Sequence, residues 1–235
     1  MTLPDPAQYL DGVQFFRDMH KVVLHNCALL ETLLSDAEAN GVFASFAAKP
    51  EWNSVFEFFL KAAPHHERDE ERFLFPIITA KLPRMGFQQP DAPIRFLVEG
   101  HDVLQHETRQ LVTAWDAFRN KKRDPATLKQ AHAIHAAEDA AFIALGRELV
   151  SLYRDHIATE EAKVYSVADK VLTGTERLAL IEALQGEYDN EAMTAIAEFD
   201  TPQYSDPSYN VKYHPTDAVA EAEFEEDDEE DSDDE

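Results

Sequence analysis

The sequence predicts an all-α chain: an antiparallel four-helix up-down bundle with a short fifth helix and a disordered acidic C-terminal tail. Three observations carry that prediction. Apolar residues recur at three- and four-residue spacing along most of the chain. Strand signals are scarce, and glycine occurs only 7 times in 235 residues. Residues 217–235 hold 13 acids and no Lys or Arg, a like-charge block that cannot bury a core.

The elements follow in order. Helix A is expected over 8–38, ending at "EANG". A loop or short helix then leads to Pro50. Helix B covers "EWNSVFEFFLKAAPHHERDEERFLFPIITAKL", and Pro64 inside it should bend or restart the helix. "RMGFQQPDAP" is the next break. Helix C runs from Pro93 to Asn120 and "NKKRDPAT" ends it. Helix D runs from Ala126 to Leu172. A fifth helix lies in "LTGTERLALIEALQGEYDNEAM", with Thr175 as its N-cap. Four main helices joined by short breaks read as an antiparallel bundle. The domain division is placed at 195: residues 1–195 form the bundle with its C-terminal helix, and 196–235 an extended strap and the disordered tail.

Composition removes several function classes. The net charge is -25, and about half of it belongs to the tail. An acidic body repels phosphate, so nucleic acid and anionic membrane surfaces are excluded as partners. No membrane-spanning apolar run and no signal peptide are visible, which predicts a soluble, cytoplasmic protein. The single cysteine, Cys27, excludes an internal disulfide framework and reads as a core filler.

The chemistry is concentrated in repeated segments. In "HHERDEERFLFP", His66 and Glu70 are i, i+4 and project from one helix face. In "HIATEEAKVYS", His156 and Glu160 repeat that spacing, and an aromatic residue follows each His by nine positions, Phe75 and Tyr165. "HKVVLH" and "HDVLQH" form a second pair. His20 falls on the apolar stripe Phe16, Val23, Cys27, Leu30, Leu34, and His101 on the stripe Leu97, Leu104, Leu111, Trp115, Phe118. His25 and His106 lie about 140° off those stripes. His65, His132, His135 and His214 are expected to lie outside the site. Four inward histidines and two inward glutamates are very costly to bury without a cation. Two metal ions resolve the cost, and nitrogen and oxygen donors without sulfur suit iron, manganese or zinc.

The stretches "DMHKVVLHNCALLE", "HERDEERFLFP", "VEGHDVLQHETRQL" and "LVSLYRDHIATEEAKVYS" resemble the hemerythrin-like, or HHE cation-binding, domain over roughly residues 10–190. The resemblance implies a four-helix bundle with a non-haem diiron centre. It implies His20, His66, Glu70, His101, His156 and Glu160 as ligands of two iron ions, with Glu70 and Glu160 bridging. The oxygen-carrying members have a second His four residues after the third-helix ligand and an Asp five residues after the last His. This chain has Gln105 and Glu161 there. Six protein ligands leave more open coordination, which favours binding and reducing O2, NO or peroxide over oxygen transport. Tyr165 adds a hydroxyl near the site.

Two functions are therefore expected in order. The first is a diiron protein that binds or reduces O2, NO or peroxide as a sensor, scavenger or weak peroxidase. The alternative is a non-enzymatic iron-binding module for storage, delivery or iron-dependent partner binding, with the acidic tail docking a protein partner. No separate nucleophile or acid–base pair stands out, so enzymatic turnover stays open.

Overall fold

The computed structural model describes residues 3–86, 91–120 and 136–193, and it is all-helical there. A short 3₁₀ turn, Pro6–Gln8, precedes α1 (Gly12–Asn40). Asp11 starts α1 because its carboxylate accepts the N–H groups of Val13 and Gln14. That cap sets the helix four residues later than the periodicity alone suggests. Gly41, at φ 87°, turns the chain from α1 into α2 (Val42–Ala48), where the buried Asp139 carboxylate accepts the Val42 N–H.

The next rod, α3, spans 51–81. Its α-helical pieces Glu51–Glu57, Ala63–Asp69 and Phe75–Lys81 are joined by π-turns at Phe58–Ala62 and Glu70–Leu74. The N–H of Ala63 bonds the Phe58 carbonyl, and that of Phe75 the Glu70 carbonyl, each five residues back. Pro64 and Pro76 come one residue later. A proline ring collides with the carbonyl four residues before it, and a widened turn moves that carbonyl aside. Pro64 thus restarts an α-segment without interrupting the rod.

α4 is Asp91–Asn120. α5 spans 136–171, as Ala136–Glu160, a π-turn Glu161–Tyr165 and Ser166–Val171. Ser166 stands where the repeat has Pro76, and its hydroxyl donates to the Ala162 carbonyl four residues back. Side chain and missing donor are two answers to the same widened turn. The last element, α6, is Gly174–Met193. Its N-cap is Thr173, not Thr175: the Thr173 Oγ1 accepts the Glu176 N–H, and Glu176 Oε2 accepts the Thr173 N–H at 2.9 Å. This reciprocal box is the stronger start signal, and Thr175 lies inside the helix.

Buried positions alternate at three- and four-residue spacing. In α1 they include the run 13, 16, 20, 23, 27, 30, 34 and 37; in α4 they include the run 97, 101, 104, 108, 111, 115 and 118. That is the seam of a bundle helix. Contacts run in opposite register between neighbours. Arg147 pairs with Glu38, Arg154 with Glu31 and Arg17 with Glu161 across α1 and α5. Trp52 stacks near Trp115, while Glu71 meets His101, across α3 and α4. Exposed pairs of this kind are worth at most about 1 kcal/mol each; the seam supplies the stability, about 1.5–3 kcal/mol per buried apolar side chain.

The core has two apolar clusters. One, around Trp52, Trp115, Phe142 and Leu149, fills one end, and the other, around Phe15, Phe16, Phe75 and Tyr165, fills the opposite end. Buried polar groups occupy the layer between them: His20, His66, Glu70, His101 and Glu160. No described helix is long and apolar enough to cross a membrane. The strap, the acidic tail, the division at 195, the start of helix D at 126–135, and His132, His135 and His214 lie outside the described residues.

Candidate metal centre

Each candidate ligand occupies a seam position that would otherwise hold an apolar residue. His20 comes from α1, His66 and Glu70 from α3, His101 from α4, and His156 and Glu160 from α5. The structure brings all six together as two trios, His20–His66–Glu70 and His101–His156–Glu160. Within each trio the donor atoms lie within 4.8 Å of one another.

The glutamates reach across both trios. Glu70 Oε1 is 3.3 Å from His20 Nε2 and 3.6 Å from His66 Nε2, while its Oε2 is 3.6 Å from His101 Nε2. Glu160 Oε1 lies 3.0 Å from His156 Nε2 and 3.3 Å from His101 Nε2, and its Oε2 is 3.2 Å from His20 Nε2. One oxygen of each carboxylate therefore faces each trio.

These donors fit metal ions better than they fit each other. His20 Nε2, His66 Nε2, His156 Nε2 and Glu70 Oε2 are buried without a hydrogen-bond partner of proper geometry. Orphaned buried polar atoms of this kind carry a desolvation cost that a cation at their convergence removes. The inward His/Glu set of paired bundle helices is the arrangement that carboxylate-bridged metal pairs use. Residues 11–168 match the family model described as the hemerythrin HHE cation binding domain. The chain belongs to this hemerythrin family. No curated protein and no solved structure matches it. Cation binding is thus a property of its family, and among the described residues the two trios are groups that could hold metal ions.

The hemerythrin-type layer has an outer ring that the sequence reading missed. His20 Nδ1 lies 2.8 Å from Glu161 Oε1, and His101 Nδ1 lies 2.7 Å from Glu71 Oε1. Each carboxylate follows a spanning glutamate in chain order, yet each orients a ring on a different helix. Because a carboxylate accepts only, Nδ1 carries the proton and Nε2 is turned inward. The pattern repeats in the aromatics: Tyr165 packs on His20 at 4.9 Å and Phe75 stacks on His101 at 6.0 Å. The repeat breaks at one atom. The Tyr165 hydroxyl donates to Glu70 Oε1, and Phe75 has no counterpart.

Charge is distributed unevenly over the rings. Burial opposes protonation of His20, but Glu160, Glu161 and Glu70 hold it well above the ordinary imidazole value. His101 is raised in the same way, against burial, by Glu160 and Glu71. His66 lacks such an orienting carboxylate, and burial pushes it down to about 4. Glu160 stays well below the usual carboxylate range because His156, His101 and His20 outweigh its burial.

The remaining sequence readings sort cleanly. His25 and His106 are exposed and outside the trios. His65 turns instead to Asp69, at 3.0 Å. Cys27 is fully buried in the core, and burial pushes its thiol up to about 12. Two further residues went unread. Glu67 is buried beside the trios, where the amide of Gln105 donates to its Oε2 at 2.9 Å; its i, i+3 spacing from Glu70 was the available signal. Gly100 stands where an added Cβ would come within 2.8 Å of His156 Nδ1.

Replacing Glu71 or Glu161 with alanine is expected to weaken binding at the trio whose ring it orients by about 10–100-fold. Competition against a coloured chelator reads this directly; unchanged affinity in both variants would leave those carboxylates without an orienting role.

Proposed function

We propose that the chain is a cytoplasmic non-haem diiron protein that binds or reduces O2, NO or peroxide. The observation that supports this most is the reach of Glu70 and Glu160, each with one oxygen toward either trio. His20, His66 and Glu70 would hold one ion, and His101, His156 and Glu160 the other. When bound, the iron pair supplies open coordination positions and the electrons for reducing a small oxidant.

The protein's own residues do the rest. Glu161 and Glu71 keep the protons of His20 and His101 on Nδ1 and present Nε2 inward. The Tyr165 hydroxyl fixes Glu70 by donating to it. The apolar clusters above and below the layer exclude bulk water, which strengthens every charge interaction inside.

Metal analysis with an optical spectrum tests the proposal. Protein reconstituted with ferrous iron and exposed to air is expected to hold about two irons per chain, with near-ultraviolet bands that bleach on reduction. No iron and no spectrum after reconstitution would sink it; slow stoichiometric release without redox cycling would favour storage or delivery. The binding should also depend on pH. Metal must displace a proton from Nε2 of His20 and of His101, both held above the ordinary imidazole value of 6.5. Affinity is therefore expected to rise with pH, by at most about 100-fold per unit for two protons, until the raised values are passed. The metal-free protein behaves oppositely. Protonated His20 and His101 contribute stability that is fully present below 6.5 and lost as pH climbs through their raised folded values.

A further inference from the structure

The two trios come from repeated segments, so each is a control for the other. Glu71 and Glu161 correspond: both side chains are 36% exposed, and they lie 2.7 and 2.8 Å from the rings they orient. They differ in what holds them. Arg17 Nε donates to Glu161 Oε2 at 3.1 Å. Arg17 is itself gripped by Asp169, donating to its two oxygens at 3.1 and 2.7 Å. Asp169 also accepts from Arg177 of α6 at 3.0 Å, and Arg177 donates to Asp11, the cap of α1, at 3.0 Å. Among the described residues, the His101 ring is the one hydrogen-bond partner of Glu71.

The spanning glutamates differ in the same sense. Tyr165 donates to Glu70, whereas Glu160 meets only imidazoles. Arg17 lies over the Tyr165 ring, 5.6 Å from its centroid, so one guanidinium steadies both groups. Its charge, which would oppose a cation, is offset by Asp169. The trio His20–His66–Glu70 is buried throughout, while His156 in the other is partly exposed. His66 and His156 are alike in having no carboxylate on Nδ1 among the described residues, so they favour neither trio. A donor set braced before the metal arrives loses less freedom on binding and holds the ion more tightly.

We propose that the trios load in a fixed order, His20–His66–Glu70 first and His101–His156–Glu160 second, with Arg17 and Tyr165 as the positioning residues that set it. The proposal rests on the diiron reading above and adds its regulation. At low metal supply the chain holds a single ion, and only the ion taken by the less braced trio completes the pair.

The test titrates the full-length, metal-free chain with ferrous iron, without oxygen and against a coloured chelator, to obtain a first and a second binding constant. A gap between them in the wild type does not decide the matter, because one cation repels the next. The variants decide it. Were the trios equal, weakening either would leave the other to take the first ion, and only the second constant would fall. With a fixed order, Arg17→Gln and Tyr165→Phe lower the first constant by about tenfold and spare the second. Glu71→Ala lowers the second and spares the first. Arg17→Lys, which keeps the charge without the forked grip, recovers part of the first constant. A first constant that stays at the wild-type value in Arg17→Gln and Tyr165→Phe overturns the proposal, and so does one that falls in Glu71→Ala. Parallel loss in both constants overturns it too, since these residues would then only support the fold. If Arg17→Gln does not fold, Tyr165→Phe, nearly the same in shape, carries the test. A wild-type chain that takes up fewer than two ferrous ions sinks the diiron reading first and this one with it.

Discussion

Glu160→Ala is expected to lower metal affinity by more than 100-fold at both positions, leaving the reconstituted protein with no tightly held ion. The residue is buried at the centre of the layer and faces three imidazoles, His20, His101 and His156, through its two oxygens. Removing an orienting carboxylate from a metal site already costs about 10–100-fold. Removing a carboxylate that reaches both trios takes a donor from each and also half of the negative charge that offsets two cations. Glu160→Gln separates the two effects, since it keeps the shape and one oxygen but drops the charge. The comparison is made by metal analysis after reconstitution, with circular dichroism to verify the helices. Two ions retained by Glu160→Ala would refute the assignment of this residue. The metal-free variant carries a second signature. Without Glu160, His20 and His101 lose the leading carboxylate that holds their protons. The stability they contribute below the ordinary imidazole value should shrink, and the difference from wild type should fade as pH rises.

What the sequence made readable, and what it hid, follows from geometry. The seams of α1 and α4 were readable because a heptad spacing survives in a straight helix, and His20 and His101 sit on it; in α5 the readable feature was the i, i+4 pair His156 and Glu160. His66 and Glu70 were readable because i, i+4 is a local relation. Glu71 and Glu161 were not. Each follows its own helix's histidine by five residues, which on a straight helix points it about 140° away. Its target ring is on another helix, His101 for Glu71 and His20 for Glu161. No single-helix pattern contains that exchange. The π-turns were hidden for a related reason. Pro64 and Pro76 announce a conflict with the carbonyl four residues back. Whether the chain answers with a kink, a break or a widened turn depends on packing, and here the rod stays against its neighbours. The Thr173–Glu176 box was legible in the residues themselves, but Thr175 offered a competing start two residues further on.

Gly100→Ala separates stability from site integrity more sharply than any ligand substitution. Mid-helix, replacing glycine with alanine is favourable by roughly 0.5–1 kcal/mol, because the unfolded chain loses freedom that the helix does not need. At Gly100 the new Cβ would stand 2.8 Å from His156 Nδ1 and 3.0 Å from its Cε1. Something must move, and the imidazole is the free end of a side chain, so the fold is relieved by turning His156 away. That relief is cheap for the bundle and ruinous for the trio His101–His156–Glu160. The expected result is a protein with wild-type helix content and a melting temperature unchanged or slightly raised, holding about one metal ion in place of two. Gly146→Ala is the control. Its Cβ would meet Leu34 at 2.7 and 2.8 Å, in the apolar cluster away from the metal layer. It should lower stability through overpacking, by about 1–3 kcal/mol, and leave the metal count at two. Two ions in Gly100→Ala would mean that His156 keeps its place against the clash or that its ring is not needed to hold the second ion. Equal loss of metal in both variants would trace the effect to general loosening of the bundle, and the close approach of α4 to His156 would then have no bearing on the site.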